Sequence, residues 1–363
     1  MASHSSRLMR TDGCRYGTHR AFPRGVLPQP ADRLDNDFSS LFSGEMLLAV
    51  DTLNIDAASY RQMEEAARSA GVAESDVALA VARKVEETVR ERGKQHNRVT
   101  GSGGMLLGRV LQVAPGRGED AEPVAVGDRV ATLVSLSLTP LRIDRVLAVR
   151  PASAQIDIEG EAVLFATGAL AKIPSDFSER LALALLDVAG AAPQVARLVK
   201  RGDVVLVLGA GGKSGILCVA EARRAGGAQA RIIGLENHRA AADELRRLQL
   251  CDDVITADAT DPVAVRNQVL KASGGREADV TFSCVNVEGA ELAAIMSTRD
   301  RGIAYFFAMS TSFSRAALGA EGVGKDVDLM IGNGYAIGHA QHTLDLVRSL
   351  PAVRTLFETR YGG

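Results

Sequence analysis

Residues 204–215, Val-Val-Leu-Val-Leu-Gly-Ala-Gly-Gly-Lys-Ser-Gly, constrain this chain more than any other stretch. Five apolar residues end in a glycine cluster and lead into Ile216-Leu217-Cys218-Val219-Ala220-Glu221-Ala222, the pattern of buried strand, tight turn and helix. Glycines let the backbone turn sharply and approach a pyrophosphate, and the new helix offers free N–H groups and the positive end of its dipole. Gly209, Gly212 and Gly215 form a G-x-x-G-x-x-G variant, whereas strict G-x-G-x-x-G fails because Ser214 stands at the third place. Gly212-Lys213-Ser214 also looks like the end of an ATP-binding P-loop. That motif needs a glycine at position 207, where Val stands, so an ATPase reading is rejected.

The surroundings support a dinucleotide. A second strand, Ala230 to Leu235, ends at Glu236, which follows Gly215 by 21 residues. That is close to the spacing of about 20 at which an acid binds the ribose hydroxyls of NAD. Glu236 would repel a 2′-phosphate, so NAD is favoured over NADP, with His238 and Arg239 near enough to soften the preference. Its plainer reading is a helix N-terminal carboxylate. Lys213 and Ser214 sit where a phosphate would lie, although Lys213 can equally face water. Val254-Ile255-Thr256 leads to Asp258, residues 280–285 lead to Asn286, and Ile303 to Met309 form another apolar run. Asn286 and Gly332-Asn333-Gly334 are either nicotinamide contacts or ordinary strand-end turns. Alternating strand and helix patterns over residues 181–350 predict a parallel, doubly wound sheet.

At 363 residues the chain suits two domains, and an apolar content of 46% suits well-formed cores. A net charge of −2 gives no reason to expect nucleic acid or an anionic membrane as partner. Residues 1–11 read as a disordered leader. Met1 to Arg10 lack the apolar stretch of a secretory signal, and no run reaches the length of a membrane span, so the expected setting is cytoplasmic. Cys14, Cys218, Cys251 and Cys284 form no C-x-x-C pair and read as reduced, mostly buried thiols. His339 and His342 lack the further ligands that zinc needs, and no metal is expected.

The first half is rich in strands. Residues 45–53 form one, and two helical stretches follow, Ala57 to Ala70 after a possible cap at Asp56, and Glu74 to Arg92. Met105 to Ala114, Val124 to Leu138, Ile143 to Val149 and Gln155 to Ala166 are β-patterned. The boundary with the nucleotide-binding half falls near residues 172–182.

Val126-Gly127-Asp128-Arg129-Val130 and Gly202-Asp203-Val204 resemble the barrel turn and the strand leading to the dinucleotide fold of medium-chain dehydrogenases/reductases. The resemblance implies an α/β fold, with a β-rich GroES-like barrel domain (residues 12–178, helical insertion at about 57–93) followed by a doubly wound Rossmann domain (179–363). It also implies a homodimer or tetramer. Zinc alcohol dehydrogenases of that superfamily carry Gly-His-Glu where this chain reads Gly101-Ser102-Gly103-Gly104-Met105, and a ligand Cys where it reads Leu53 to Ala57, so zinc-dependent alcohol chemistry is not expected. Gly13 to Arg20, Gly25 to Pro30, Val50 to Asp56 and Val99 to Met105 are similar to the L-erythro-3,5-diaminohexanoate dehydrogenase family. That family oxidatively deaminates (3S,5S)-3,5-diaminohexanoate with NAD, giving (S)-5-amino-3-oxohexanoate, ammonia and NADH in anaerobic lysine fermentation.

Such a substrate asks for a general base, a carboxylate for the distal ammonium and a cation for the carboxylate. The resemblance places Asp56 beside the nicotinamide, which makes it the first choice as base or ammonium partner, against its reading as a helix cap. Asn54 is either an orienting partner or a turn residue, and Asp51 either a second carboxylate or a surface strand residue. Tyr16, His19 and Arg20 form a polar cluster. Arg20 can fork onto a carboxylate and His19 can relay a proton, or the segment is an arm packed on the barrel. Two other functions keep the Rossmann half. A zinc-free quinone or enoyl reductase would use NADPH, and a nucleotide-binding sensor would have no chemistry.

Overall fold

The computed structural model describes residues 7–97, 101–118, 122–308, 310–332 and 334–362. They divide into two compact units, the first ending at Leu183 and the second starting at Ala184, just beyond the expected linker.

The first unit contains β1 (Leu8–Arg10), β2 (Ala21–Phe22), β3 (Arg33–Leu34), β4 (Ser40–Phe42), β5 (Met46–Asn54), α1 (Ala57–Ser69), α2 (Val77–Arg92), β6 (Met105–Val113), β7 (Arg129–Thr132), β8 (Leu141–Arg150), β9 (Gln155–Leu164) and β10 (Leu170–Lys172). An antiparallel six-stranded sheet runs in the order β10-β7-β6-β5-β9-β8. The side chains of β5 alternate between the two faces of the sheet, and Met46, Leu47 and Leu48 are buried on both. Met46, Leu48 and Val50 enter the main core, where Val81, Val85 and Val89 from one face of α2 join them. Leu47 points the other way, against Phe38, Leu41, Val163 and Phe165. The segment before β5 therefore covers the second face of the sheet.

Two expectations need correction. Residues 7–11 are not a free leader: β1 pairs in parallel with β4, and Arg7 reaches Glu161 at 2.6 Å. Positions 1–6 lie outside the described residues. Within Val124 to Leu138, only Arg129–Thr132 is a strand. Ser135 caps a short 3₁₀ turn at Leu136–Leu138 and also accepts the Gly103 N–H, and such side-chain bonding competes with a strand ladder.

The second unit alternates strands and helices. Helix α3 (Glu179–Leu186) carries the chain across the division into α4 (Ala191–Leu198), β11 (Val204–Leu208), α5 (Lys213–Gly226), β12 (Arg231–Glu236), α6 (Arg239–Leu248), β13 (Asp253–Thr256) and α7 (Pro262–Ala272). It continues with β14 (Ala278–Ser283), α8 (Glu291–Ser297), β15 (Thr298–Phe306), α9 (Phe313–Gly322), β16 (Asp328–Ile331), α10 (His339–Ser349) and α11 (Pro351–Tyr361). All pairings are parallel, in the order β13-β12-β11-β14-β15-β16. The order reverses between β11 and β14, which opens a crevice at the carboxyl ends of those strands. Strand β15 starts earlier than the apolar run suggests, and Met309 and Asn333 lie outside the described residues.

Candidate active site

The glycine loop closes on itself at the carboxyl end of β11. Gly209 has φ +72°, and both its N–H and that of Ala210 donate to the Leu235 carbonyl at 2.9 Å. A Cβ on Gly215 would stand 2.1 Å from the Gly209 carbonyl oxygen, so only glycine lets α5 approach β11. Gly212 caps α5 without a side chain and is exposed, leaving the first turn of N–H groups open to an anion. Glu236 is buried at the end of β12. One carboxylate oxygen accepts the Gly211 N–H at 3.0 Å and the other accepts the His238 N–H at 3.1 Å. Glu236, the acid proposed for the ribose, thus lies against the glycine loop.

The other expected cofactor residues are less direct. The Lys213 ammonium is 2.6 Å from Asp187. Burial works against its charge, but Asp187 outweighs burial and holds the ammonium above its usual value. Ser214 is half-buried in the first turn of α5. Asp258 accepts both the N–H and the hydroxyl of Thr260 at 2.8 Å, which holds its carboxyl below the usual range and builds the turn before α7. Asn286 is exposed beyond β14, at the switch-point end of the sheet. Two residues before it in the chain, the Cys284 thiol lies 3.7 Å from that of Cys218.

In the first unit, Asn54 ends β5 opposite Met105. A Cβ on Gly104 would stand 2.1 Å from the Asn54 carbonyl oxygen and 2.8 Å from the Ile55 Cα, so Gly104 is pressed against the Asn54–Ile55 backbone. Asn54 Oδ1 accepts from Gln155 at 3.2 Å. Asp56 caps α1 through Oδ1, which accepts the Ser59 N–H at 2.8 Å. Its Oδ2 is buried without a hydrogen-bond partner. The hydroxyl of Tyr60, one turn on, is likewise buried and unpartnered, and burial, with Glu64 adding to it, pushes its pKa up to about 12. Gln95 Oε1 is a third such atom. Tyr60 and Gln95 carry no motif, and only their burial marks them. Among the described residues, no group of three His, Cys, Asp or Glu side chains is placed to hold a metal.

The Tyr16–Arg20 cluster differs from the expected substrate clamp. Arg20 is 1% exposed, and its guanidinium forks onto Glu45 at 2.5 and 2.8 Å while donating to the carbonyls of Asp35, Asp37 and Ser40. No donor remains for a substrate. His19 Nδ1 accepts the Cys14 N–H at 3.0 Å, so Nε2 carries the proton donated to Glu45 at 2.9 Å. Burial opposes the Glu45 charge, yet Arg20 and His19 hold its carboxyl below the usual range. This is the packed-arm reading: His19 and Arg20 tie the N-terminal segment to Glu45, just before β5. Tyr16 is exposed with Arg15 over its ring, and Asp51 is exposed and paired with Arg129, which also holds Glu179 at 2.6 Å.

Solved structures share this fold. An alcohol dehydrogenase from Thermotoga maritima matches with a TM-score of 0.53 at 15% identity, over 86% of this chain and 84% of that one. A mycobacterial protein solved with NADPH matches with a TM-score of 0.53 at 18% identity, over 87% and 89%. The likeness is one of fold, a β-rich unit followed by a parallel α/β unit that carries a glycine loop. A family model described as the L-erythro-3,5-diaminohexanoate dehydrogenase N-terminal domain matches residues 19–174. Proteins named L-erythro-3,5-diaminohexanoate dehydrogenase from Acetoanaerobium sticklandii and Fusobacterium nucleatum are 50% and 47% identical, each over 96% of this chain and 99% of the relative. The chain belongs to the L-erythro-3,5-diaminohexanoate dehydrogenase family.

Proposed function

We propose that this protein oxidatively deaminates L-erythro-3,5-diaminohexanoate, with NAD as hydride acceptor. The observation that carries the reading is the match to relatives of that name along 96% of the chain. Glu236 supports NAD over NADP, because a buried carboxylate already bonded to the loop repels a 2′-phosphate. The Gly209–Gly212 backbone and Ser214 would hold the pyrophosphate, and bound NAD supplies the hydride acceptor.

Balanced, the substrate ammonium, water and NAD⁺ give ketone, ammonium ion, NADH and one proton. Hydride leaves C3 only once the nitrogen there has a lone pair. Asp56 Oδ2, free of any partner, is the group to take that proton, while Oδ1 keeps the helix cap. The C3–H bond then breaks and the nitrogen lone pair forms C=N. Water adds to this iminium, and loss of ammonia leaves the ketone. The Tyr60 phenol stays neutral through neutral pH, so it can accept from an ammonium and also donate.

The reading includes a cytoplasmic setting, in keeping with four free cysteines, and a homo-oligomer. Among the described residues no single helix is long and apolar enough to cross a membrane. The test is NADH formation at 340 nm with NAD and the diamino acid, against lysine, 3-aminobutyrate and a simple alcohol. Turnover confined to the diamine is expected. No turnover with the diamine beside NADPH-dependent quinone or enoyl reduction would overturn the reading.

A further inference from the structure

The C-terminal helix reaches the glycine loop. Arg360, in α11, donates from Nη1 to the Gly211 carbonyl at 2.8 Å, and its Nη2 pairs with Glu244 of α6. The next residue, Tyr361, places its ring 5.6 Å from the Lys213 ammonium. Gly211 is thereby held on both sides, its N–H by Glu236 at 3.0 Å and its carbonyl by Arg360. A side chain there would displace Glu236, since a Cβ would lie 2.8 Å from its Oε2 and 3.0 Å from the Ala241 Cβ. The Gly211 carbonyl and the Gly212 N–H belong to one planar trans peptide and point in opposite directions. Fixing the carbonyl therefore fixes the turn in which Gly212 N–H meets the Gly209 carbonyl at 3.2 Å. Two successive glycines are otherwise the most mobile backbone the chain can build.

We propose that Arg360 is a positioning residue for the dinucleotide. Braced on Glu244, it holds the Gly211–Gly212 peptide in the orientation that presents the first N–H groups of α5 to the pyrophosphate, so that little ordering is left for the cofactor to bring about. Arg suits the role because one rigid planar group serves the carbonyl and the carboxylate together. The inference rests on the reading of residues 209–215 as the dinucleotide loop.

The test is NADH titration and steady-state kinetics on the full-length protein with R360Q, R360K and G212D. R360Q should raise the NADH Kd and the NAD KM about tenfold, as for loss of one charge-assisted bond, and leave kcat and the diamine KM within about twofold. R360K should keep part of the affinity, because an ammonium reaches either partner but not both. G212D separates the two failures. At position 212 an added Cβ would meet only the Gly209 carbonyl oxygen, at an ordinary 3.5 Å, φ is −77°, and Asp is a good cap, so the fold tolerates a carboxylate where a phosphate should sit. If G212D abolishes NADH binding and R360Q leaves it unchanged, the role of Arg360 is overturned and the site stands. If R360Q lowers the thermal midpoint and shifts both KM values and kcat together, Arg360 is a fold brace and the proposal fails. If G212D binds NADH normally, the loop assignment falls and the inference with it.

Discussion

Glu45 and Asp56 are carboxylates bracketing the same strand, and they are treated in opposite ways. Glu45 is 1% exposed and fully engaged, by Arg20, His19 and the Phe42 N–H. Asp56 spends one oxygen on a helix cap and leaves the other buried and bare. Burying a charge is costly unless hydrogen bonds replace water, so a satisfied carboxylate belongs to the scaffold. An open buried acceptor costs stability, and a ligand that brings the missing donor would offset that cost. The difference marks Glu45 as scaffold and leaves Asp56 as the carboxylate to test for chemistry.

Substitutions can break that contrast. The largest effect is expected from Asp56→Asn. If Asp56 is the base, its removal should lower kcat/KM by about 10²–10⁴-fold, as for loss of general-base catalysis, with NADH affinity kept. Asn caps a helix as well as Asp, so the thermal midpoint should hold. Unchanged kcat/KM would return Asp56 to the role of a cap. Glu45→Gln should do the reverse, costing about 3–5 kcal/mol in urea unfolding because the Arg20 charge loses its buried partner.

The pH dependence of Glu45 has a definite sign. Its carboxyl titrates in the folded protein below the ordinary 4.5, so its stabilisation is present above that value and fades as pH falls towards the folded pKa. Wild type should therefore lose more stability than Glu45→Gln between about pH 5 and about pH 3. Equal losses would remove Glu45 as the acid-sensitive link.

Smaller effects sharpen the picture. Glu236→Ala should cut the NAD-to-NADP ratio of kcat/KM about ten- to hundredfold, the scale of a charged hydrogen bond. A constant ratio would defeat the ribose assignment. Tyr60→Phe is the mildest. Deleting an unpartnered hydroxyl should leave stability unchanged or raise it by up to about 1 kcal/mol, and the diamine KM should rise if the phenol meets the substrate. A clear loss of stability would show that the hydroxyl is satisfied in the fold.

Much of the second unit was legible because its signals are local. An apolar strand, a glycine turn and an acid at fixed spacing are read along the chain, and Glu236 indeed meets Gly211. The zinc-ligand departures were legible for the same reason, since Gly101–Gly104 and Asn54–Asp56 are continuous segments. Less was legible where burial decides. Arg20 and His19 look like a substrate clamp in sequence because nothing nearby announces Glu45, which reads only as the start of a strand. Residues 7–11 look free because β1 is too short to show a period, and its partner β4 lies some thirty positions on.

The sequence by itself determined the two-unit α/β plan, the glycine loop between strand and helix, and the family. Spacing and turn chemistry carry that information, and both act over a few residues. Only the tertiary structure decided which polar groups are consumed and which are left open. Arg360 and Gly211 are 149 residues apart, and the choice of Glu45 over a substrate as partner for Arg20 depends on what the fold buries. A side chain's chemistry is set by the water it has lost and the partners it has gained, and both are fixed only when distant segments pack.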